Sequence, residues 1–174
     1  QQQLGTQLTT AEVNYFLGFN FDVDQNSYTH TVGTYTASGT VTGAGQSGAT
    51  LTTGAWTSGG TTLNQGDTFT IGSGATQVNA VNPVTKANLG YAQRFVVTST
   101  ISDTTGTIAI PIAPAIVGPG DPQQNVSALP ANAATITING TSAQVSQRSI
   151  VFNEAAVTLA IVPLEKPDGV NNAS

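Results

Sequence analysis

Apolar residues in this chain recur mostly at every second position, in short runs broken by glycine, proline and asparagine. Phe19-Asn20-Phe21-Asp22-Val23 alternates apolar and polar, the period of a strand with one buried face. From Arg94 onward, Phe95, Val97 and Ile101 share one face. Ser102-Asp103-Thr104-Thr105-Gly106 then turns the chain, and Ile108, Ile110 and Ile112 bring it back. That pair is the clearest hairpin pattern present. Ile136 and Ile138 lead into Asn139-Gly140, a type I′ turn signal, with Val145 on the expected return strand. Phe69 and Ile71 follow the turn Asn64-Gln65-Gly66-Asp67, and Val78 and Val81 precede a break at Asn82-Pro83. Val157, Leu159 and Ile161 alternate once more, after a short turn capped by Asn153 and before Pro163.

Helical signals are confined to the start of the chain. Thr9-Thr10-Ala11-Glu12 reads as a capping box, predicting a short helix to about Leu17 that stops at Gly18. Between 34 and 147 no helical period appears. Thr, Gly, Ser, Asn and Val dominate there, and β-branched side chains suit a pleated surface. Short strands at this spacing predict an antiparallel β-barrel or sandwich. The Gly/Ser/Thr-rich stretch from Thr40 to Thr62 predicts a mobile loop anchored by Leu51 and Trp56. Gly118-Pro119-Gly120-Asp121-Pro122 is expected to be irregular connection, and the tail from Asn171 to Ser174 to fray. Residues 1–33 and 148–174 therefore read as two flanks of one small α+β framework, with a barrel over 34–147 inserted between them.

Composition narrows the picture. Charged residues make up 7% of the 174 positions, against roughly 25% in an ordinary soluble domain. With 39% hydrophobic residues and a net charge of −5, the chain lacks the signature of disorder. Lys86, Arg94, Arg148 and Lys166 are the only cations. They are too few to displace counterions from phosphates, so no direct sequence-specific nucleic-acid binding is expected. Absence of Cys removes disulfides, thiolate metal sites and a Cys nucleophile. The longest apolar run, Ile108 to Val117, contains Pro111 and Pro114 and is far short of the about 20 residues that span a bilayer. Gln1-Gln2-Gln3-Leu4 has neither the basic nor the apolar region of a signal peptide. The chain begins without Met and so reads as a processed product or a piece of something longer.

Few residues offer chemistry. Asp22 and Asp24 lie two apart on a predicted strand and would face one side, a spacing open to proton sharing or Ca²⁺ ligation, but no run of oxygen ligands follows. They read as strand-end residues before a turn. His30 is the only histidine. It lacks a nucleophile elbow and reads as a structural hydrogen-bonder rather than a catalytic base, a hydrolase reading being carried only by His30 with Asp22 or Asp24. Gly43-Ala44-Gly45-Gln46-Ser47-Gly48 resembles a phosphate-cradling loop, but strand rather than helix is predicted to follow it. Asn125, Asn139 and Asn172 begin N-glycan acceptor patterns, which chance supplies readily in a chain so rich in Asn, Ser and Thr. Lys86 and Lys166, the candidates for a Lys–Asn isopeptide link, fall in turn and proline-flanked contexts that predict solvated loops. No catalytic, cofactor-binding or metal-ligating residue is assigned, and neither enzyme activity nor a cofactor is expected. Trp56 with Tyr35 leaves an alternative open, a glycan-binding or adhesin-like β-sandwich with an aromatic platform, against Trp56 as a core anchor.

An ordered series of segments resembles one family. It runs through Gly18-Phe19-Asn20-Phe21-Asp22-Val23, Thr29-His30-Thr31-Val32-Gly33 and Gly66-Asp67-Thr68-Phe69-Thr70-Ile71. It continues through Val78 to Lys86, Gln93-Arg94-Phe95-Val96-Val97, Ile110-Pro111-Ile112, Gln124-Asn125-Val126 and Ser149 to Val157, ending at Pro163-Leu164-Glu165. Over most of 15–167 the chain resembles the major capsid (coat) proteins of short-tailed double-stranded DNA bacteriophages, whose capsid fold carries an inserted β-barrel. The resemblance implies a structural component of the virion capsid that stabilises the coat subunit and mediates subunit contacts in icosahedral shell assembly. Its implied partners are other copies of the coat protein and, during assembly, scaffolding protein, with no membrane involved. Family members extend beyond both ends of this sequence. Some carry an Asp-rich contact loop where Gly43 to Gly60 here has no charge.

Overall fold

The computed structural model describes residues 28–149 and, by backbone alone, two short strands, β1 (Tyr15–Phe16) and β2 (Phe19–Asn20), which pair antiparallel with Phe16 opposite Phe19. The helix expected to run to Leu17 therefore does not include Tyr15 and Phe16. Adjacent aromatic side chains lose rotamer freedom against a helical turn and fit a pleated backbone better. The rest of that helix, Phe21 to Val23, the Asn153 turn and the strand around Leu159 lie outside the described residues.

Twelve further strands follow in chain order. They are β3 (Thr29–Thr31), β4 (Thr40–Val41), β5 (Gly48–Gly54), β6 (Thr62–Leu63), β7 (Thr68–Ile71) and β8 (Asn79–Val81). Then come β9 (Asn88–Ala92), β10 (Phe95–Val97), β11 (Ile101–Ser102), β12 (Ile108–Ile116), β13 (Ile136–Ile138) and β14 (Val145–Gln147). Among the described residues a single 3₁₀ turn, Gly74–Thr76, interrupts them. The described part of the chain is mainly β, as its alternating pattern predicts.

Six strands form one antiparallel sheet in the order β13-β7-β10-β12-β5-β4. Its two edge strands curl towards each other. Thr40 bridges Thr135, the Val41 N–H donates to the Ala134 carbonyl at 2.9 Å, and the Ile136 N–H to the Gly39 carbonyl at 2.8 Å. The result is a nearly closed barrel, and closure gives the edge N–H and C=O groups partners within the chain.

Alternation fills the interior. Leu51 from β5, Phe69 and Ile71 from β7, Phe95 and Val97 from β10, and Ile110 from β12 are all buried, while Val96 and Ala109 between them are exposed. Phe69 and Phe95 lie directly opposite across β7 and β10, with ring centroids 5.9 Å apart and planes tilted by 32°. Each such side chain contributes roughly 1.5–3 kcal/mol by leaving water. Leu51 and Trp56 are buried, as the anchoring role predicts. The stretch they anchor also carries ladder, since β4 and β5 fall within it and β6 begins at its last residue. Pro111 and Pro114 sit in β12, between β5 and β10, and the β12–β5 register shifts between Pro111 and Ile116. Proline has no N–H to donate, so a regular ladder cannot run through these positions.

Two expected hairpins are built differently. β10 and β12 do pair antiparallel, Val97 opposite Ile112, but Ile101 and Ser102 leave that pair as β11 and join β6 instead. The Asp103 carboxylate folds the turn locally by accepting the N–H groups of Thr105 and Gly106, while the Asp103 N–H donates to the Thr61 carbonyl at 2.8 Å. Asn139-Gly140 does not pair β13 with β14 either. β13 joins β7, and β14 joins β3. The Asn139 N–H donates to the Thr68 carbonyl of β7 at 2.8 Å. Beyond it, the Tyr35 hydroxyl donates to the Gly140 carbonyl and the Tyr35 N–H to Ser142 Oγ, holding residues 140–144 on the β3 side. Distant partners outcompete the local turn preference.

Candidate functional site

The chain enters and leaves the barrel at one place. β3 and β14 pair antiparallel with Thr31 opposite Val145, His30 opposite Ser146 and Thr29 opposite Gln147. The Val32 N–H extends the ladder to the Gln144 carbonyl, and the Arg148 N–H to the Tyr28 carbonyl, each at 2.9 Å. Thr29 and Thr31 face solvent, whereas His30 between them is buried, as period-2 geometry requires.

His30 is turned onto the barrel. Its Nε2 lies 2.8 Å from Asp67 Oδ1, and the side chains are 3% and 1% exposed. An ionised carboxylate only accepts, so the imidazole is the donor in that state. Asp67 Oδ2 accepts two backbone N–H groups as well, from Gly33 at 3.0 Å and Asn64 at 2.8 Å. One buried carboxylate thus ties together the incoming strand, the segment after it and the β6–β7 turn. Desolvating it is tolerable only because its oxygens are so well supplied with donors. Gly33 is required at this junction: a Cβ there would lie 2.0 Å from the Thr62 carbonyl oxygen and 2.9 Å from Asp67 Oδ2.

His30 is the structural hydrogen-bonder that its isolation among threonines suggests, and its carboxylate partner is Asp67. Asp22 and Asp24 lie outside the described residues. Nothing local in the sequence marks Asp67 as that partner, because the turn motif around it explains its presence and the partner is 37 residues away. The segment from Gly43 to Gly48 leads directly into β5 rather than a helix. It is braced by Gln46, whose Nε2 donates to the Thr42 carbonyl at 2.8 Å and whose Oε1 accepts the Thr52 N–H at 2.6 Å.

Other residues singled out by type are also in structural use. Trp56 is 5% exposed, and its Nε1 donates to Thr53 Oγ1 at 2.8 Å. Tyr35 is half-buried against the core. The pair therefore presents no open aromatic platform. The Asn125 side chain accepts the Val117 N–H at 2.9 Å and donates to the Ala115 carbonyl at 2.6 Å. Asn139 is exposed, while Asn172 and Lys166 lie outside the described residues. Lys86 occupies a turn at φ +59°, with Nζ 3.4 Å from the Gln124 carbonyl. A shallow surface cavity of about 190 Å³ is lined by Phe69, Thr70, Arg94, Thr137, Ile138 and Asn139. No helix among the described residues is long and apolar enough to cross a membrane.

No protein-family model, curated protein or solved structure matches the chain.

Proposed function

We propose that this chain is a structural module of a bacteriophage major capsid protein: a β-barrel carried between two flanks of the coat subunit, which stabilises the subunit and supports its contacts as the shell assembles around scaffolding protein. The observation that carries this reading is the pairing of β3 with β14. A domain whose incoming and outgoing strands are hydrogen-bonded neighbours can be inserted in a host framework without moving the framework's two ends apart. The sparing use of charge fits dense packing of many copies, which leaves little to desolvate and little mutual repulsion. The ordered resemblance from Gly18-Phe19 to Pro163-Leu164-Glu165 supports the same reading.

The virion is the corresponding location, with other coat subunits and scaffolding protein as partners. Co-expression of the full coding sequence with its neighbouring scaffolding gene should yield closed shells by negative-stain electron microscopy. Soluble subunits without particles, in the presence of scaffold, would sink the reading. The alternative of a glycan-binding module loses its proposed platform in the burial of Trp56.

A further inference from the structure

One surface element of the barrel stands apart from the closed sheet. β8 and β9 form a separate two-stranded hairpin whose inner strand touches the remainder through the bridge Ala80–Val126. Among the described residues no strand pairs with the outer edge of β9. The hairpin is irregular in a specific way. Asn79 faces Ala92 and Val81 faces Asn88, so β9 spends two more residues than β8 between the same two rungs. The surplus is a bulge around Leu89-Gly90-Tyr91, with Gly90 at φ +79° and its N–H donated to Asn88 Oδ1 at 2.8 Å. Such a bulge blunts the edge against strand addition and redirects side chains outward.

Those side chains are apolar. Val84 at the tip is 88% exposed, Leu89 43% and Tyr91 59%. Scattered exposed apolar residues need no explanation, but three large ones fall within this single 14-residue hairpin. Two cations lie nearby in sequence: Lys86 in the turn and exposed Arg94 two residues past the end of β9.

Charge along the chain is segregated in the complementary sense. Of its nine acidic residues, Glu12, Asp22, Asp24, Glu154, Glu165 and Asp168 all fall outside 28–149, where Lys166 is the only cation. Within 28–149, Asp67 and Asp103 are buried and hydrogen-bonded, which leaves Asp121 as the exposed acid against Lys86, Arg94 and Arg148. Residues 28–149 therefore balance three acids with three cations, Lys86 and Arg94 falling on or just after the β8–β9 hairpin, whereas the flanks carry six acids against Lys166.

We propose that the β8–β9 hairpin is the surface by which one copy of this chain docks on the acidic flank of a second copy. Leu89, Tyr91 and Val84 supply the apolar contact, and Lys86 and Arg94 supply the charges that the flank matches. This deepens, and rests on, the reading that the chain works by packing against its own kind. Because the bulge occupies the β9 edge, contact is made by side chains rather than by adding a strand to a continuous sheet.

The test is sedimentation velocity of the full chain over a concentration series at low and high salt. It compares the natural sequence with Lys86→Glu/Arg94→Glu and, separately, with Tyr91→Ser, with circular dichroism confirming that each variant is folded. The natural chain is expected to self-associate in a salt-weakened manner, and the charge-reversed pair to associate about tenfold more weakly with the salt response lost. Tyr91→Ser should weaken association while keeping the salt response. A chain that stays monomeric at every concentration, its flank covering its own hairpin included, would overturn the proposal, as would a charge-reversed variant that associates like the parent. Shell formation with scaffold separates this from the broader reading. Shells from both parent and charge-reversed chain would discard the hairpin contact alone, whereas shells from neither would discard the capsid assignment.

Discussion

His30 and Asp67 meet across 37 residues of sequence at 2.8 Å, and that one contact joins the strand entering the barrel to the turn between β6 and β7. The two partners carry unequal loads. Asp67 serves two backbone N–H groups besides the imidazole, whereas among the described residues the His30 side chain makes this one hydrogen bond.

Removing the acid should therefore hurt more than removing the base. Asp67→Ala is expected to destabilise the chain by about 3–5 kcal/mol, because it leaves two buried donors and one half-buried donor without an acceptor. His30→Leu should cost about 1.5–3 kcal/mol, the size of one hydrogen bond to a buried charged group. Urea unfolding of the two variants gives the order, and a reversed order would mean that the carboxylate does not organise the junction.

Gly39 packs so closely on the Trp56 indole that an added Cβ would lie 2.1 Å from Cε2. Gly39→Ala should displace the indole and lower stability by about 1–3 kcal/mol, the usual range for overpacking. Trp56 is the only tryptophan, so its emission reports the displacement directly as a red shift in the folded state. An unchanged spectrum and midpoint would contradict the packing.

Ala133 and Ala143 are both exposed and both at φ +59°, a conformation in which a Cβ crowds the following carbonyl. Replacing each with glycine should stabilise the protein by a few tenths to about 1 kcal/mol, the relieved strain exceeding the extra backbone entropy lost by glycine. A rise in the urea midpoint is the expected readout. A fall at both positions would show that these turns carry no left-handed strain.

Residues 28–149 should fold when expressed alone. Their terminal strands pair with each other, and the barrel core is drawn from within the segment. The expected result is a β-rich circular dichroism spectrum and a cooperative urea transition. A broad, non-cooperative transition would show that the flanks are part of the same folding unit.

The strands of the barrel were largely legible because burial in a two-sided sheet writes itself as alternation. Phe95 and Val97, or Ile108, Ile110 and Ile112, carry that mark in a few adjacent residues. Choice of partner is not written locally. Asn139-Gly140 has turn chemistry strong enough to predict a hairpin, yet Thr68 and Tyr35, each more than 60 residues away, decide where the chain goes on either side of it. The stem junction is hidden for the same reason: Asp67 looks like any turn-forming acid until the fold brings His30 to it. The β9 bulge is harder still, since two surplus residues in Asn88-Leu89-Gly90-Tyr91-Ala92 become visible only once the register with β8 is known.

The antiparallel stem also has a mechanical consequence. Tension applied to residues 28 and 148 pulls on two ends that lie side by side, so it loads the rungs between β3 and β14 one after another from the outside, like opening a zip. Rupture should be gradual and at low force as far as His30, where the buried contact to Asp67 arrests it, leaving the barrel beyond mechanically shielded from whatever strains its two tethers.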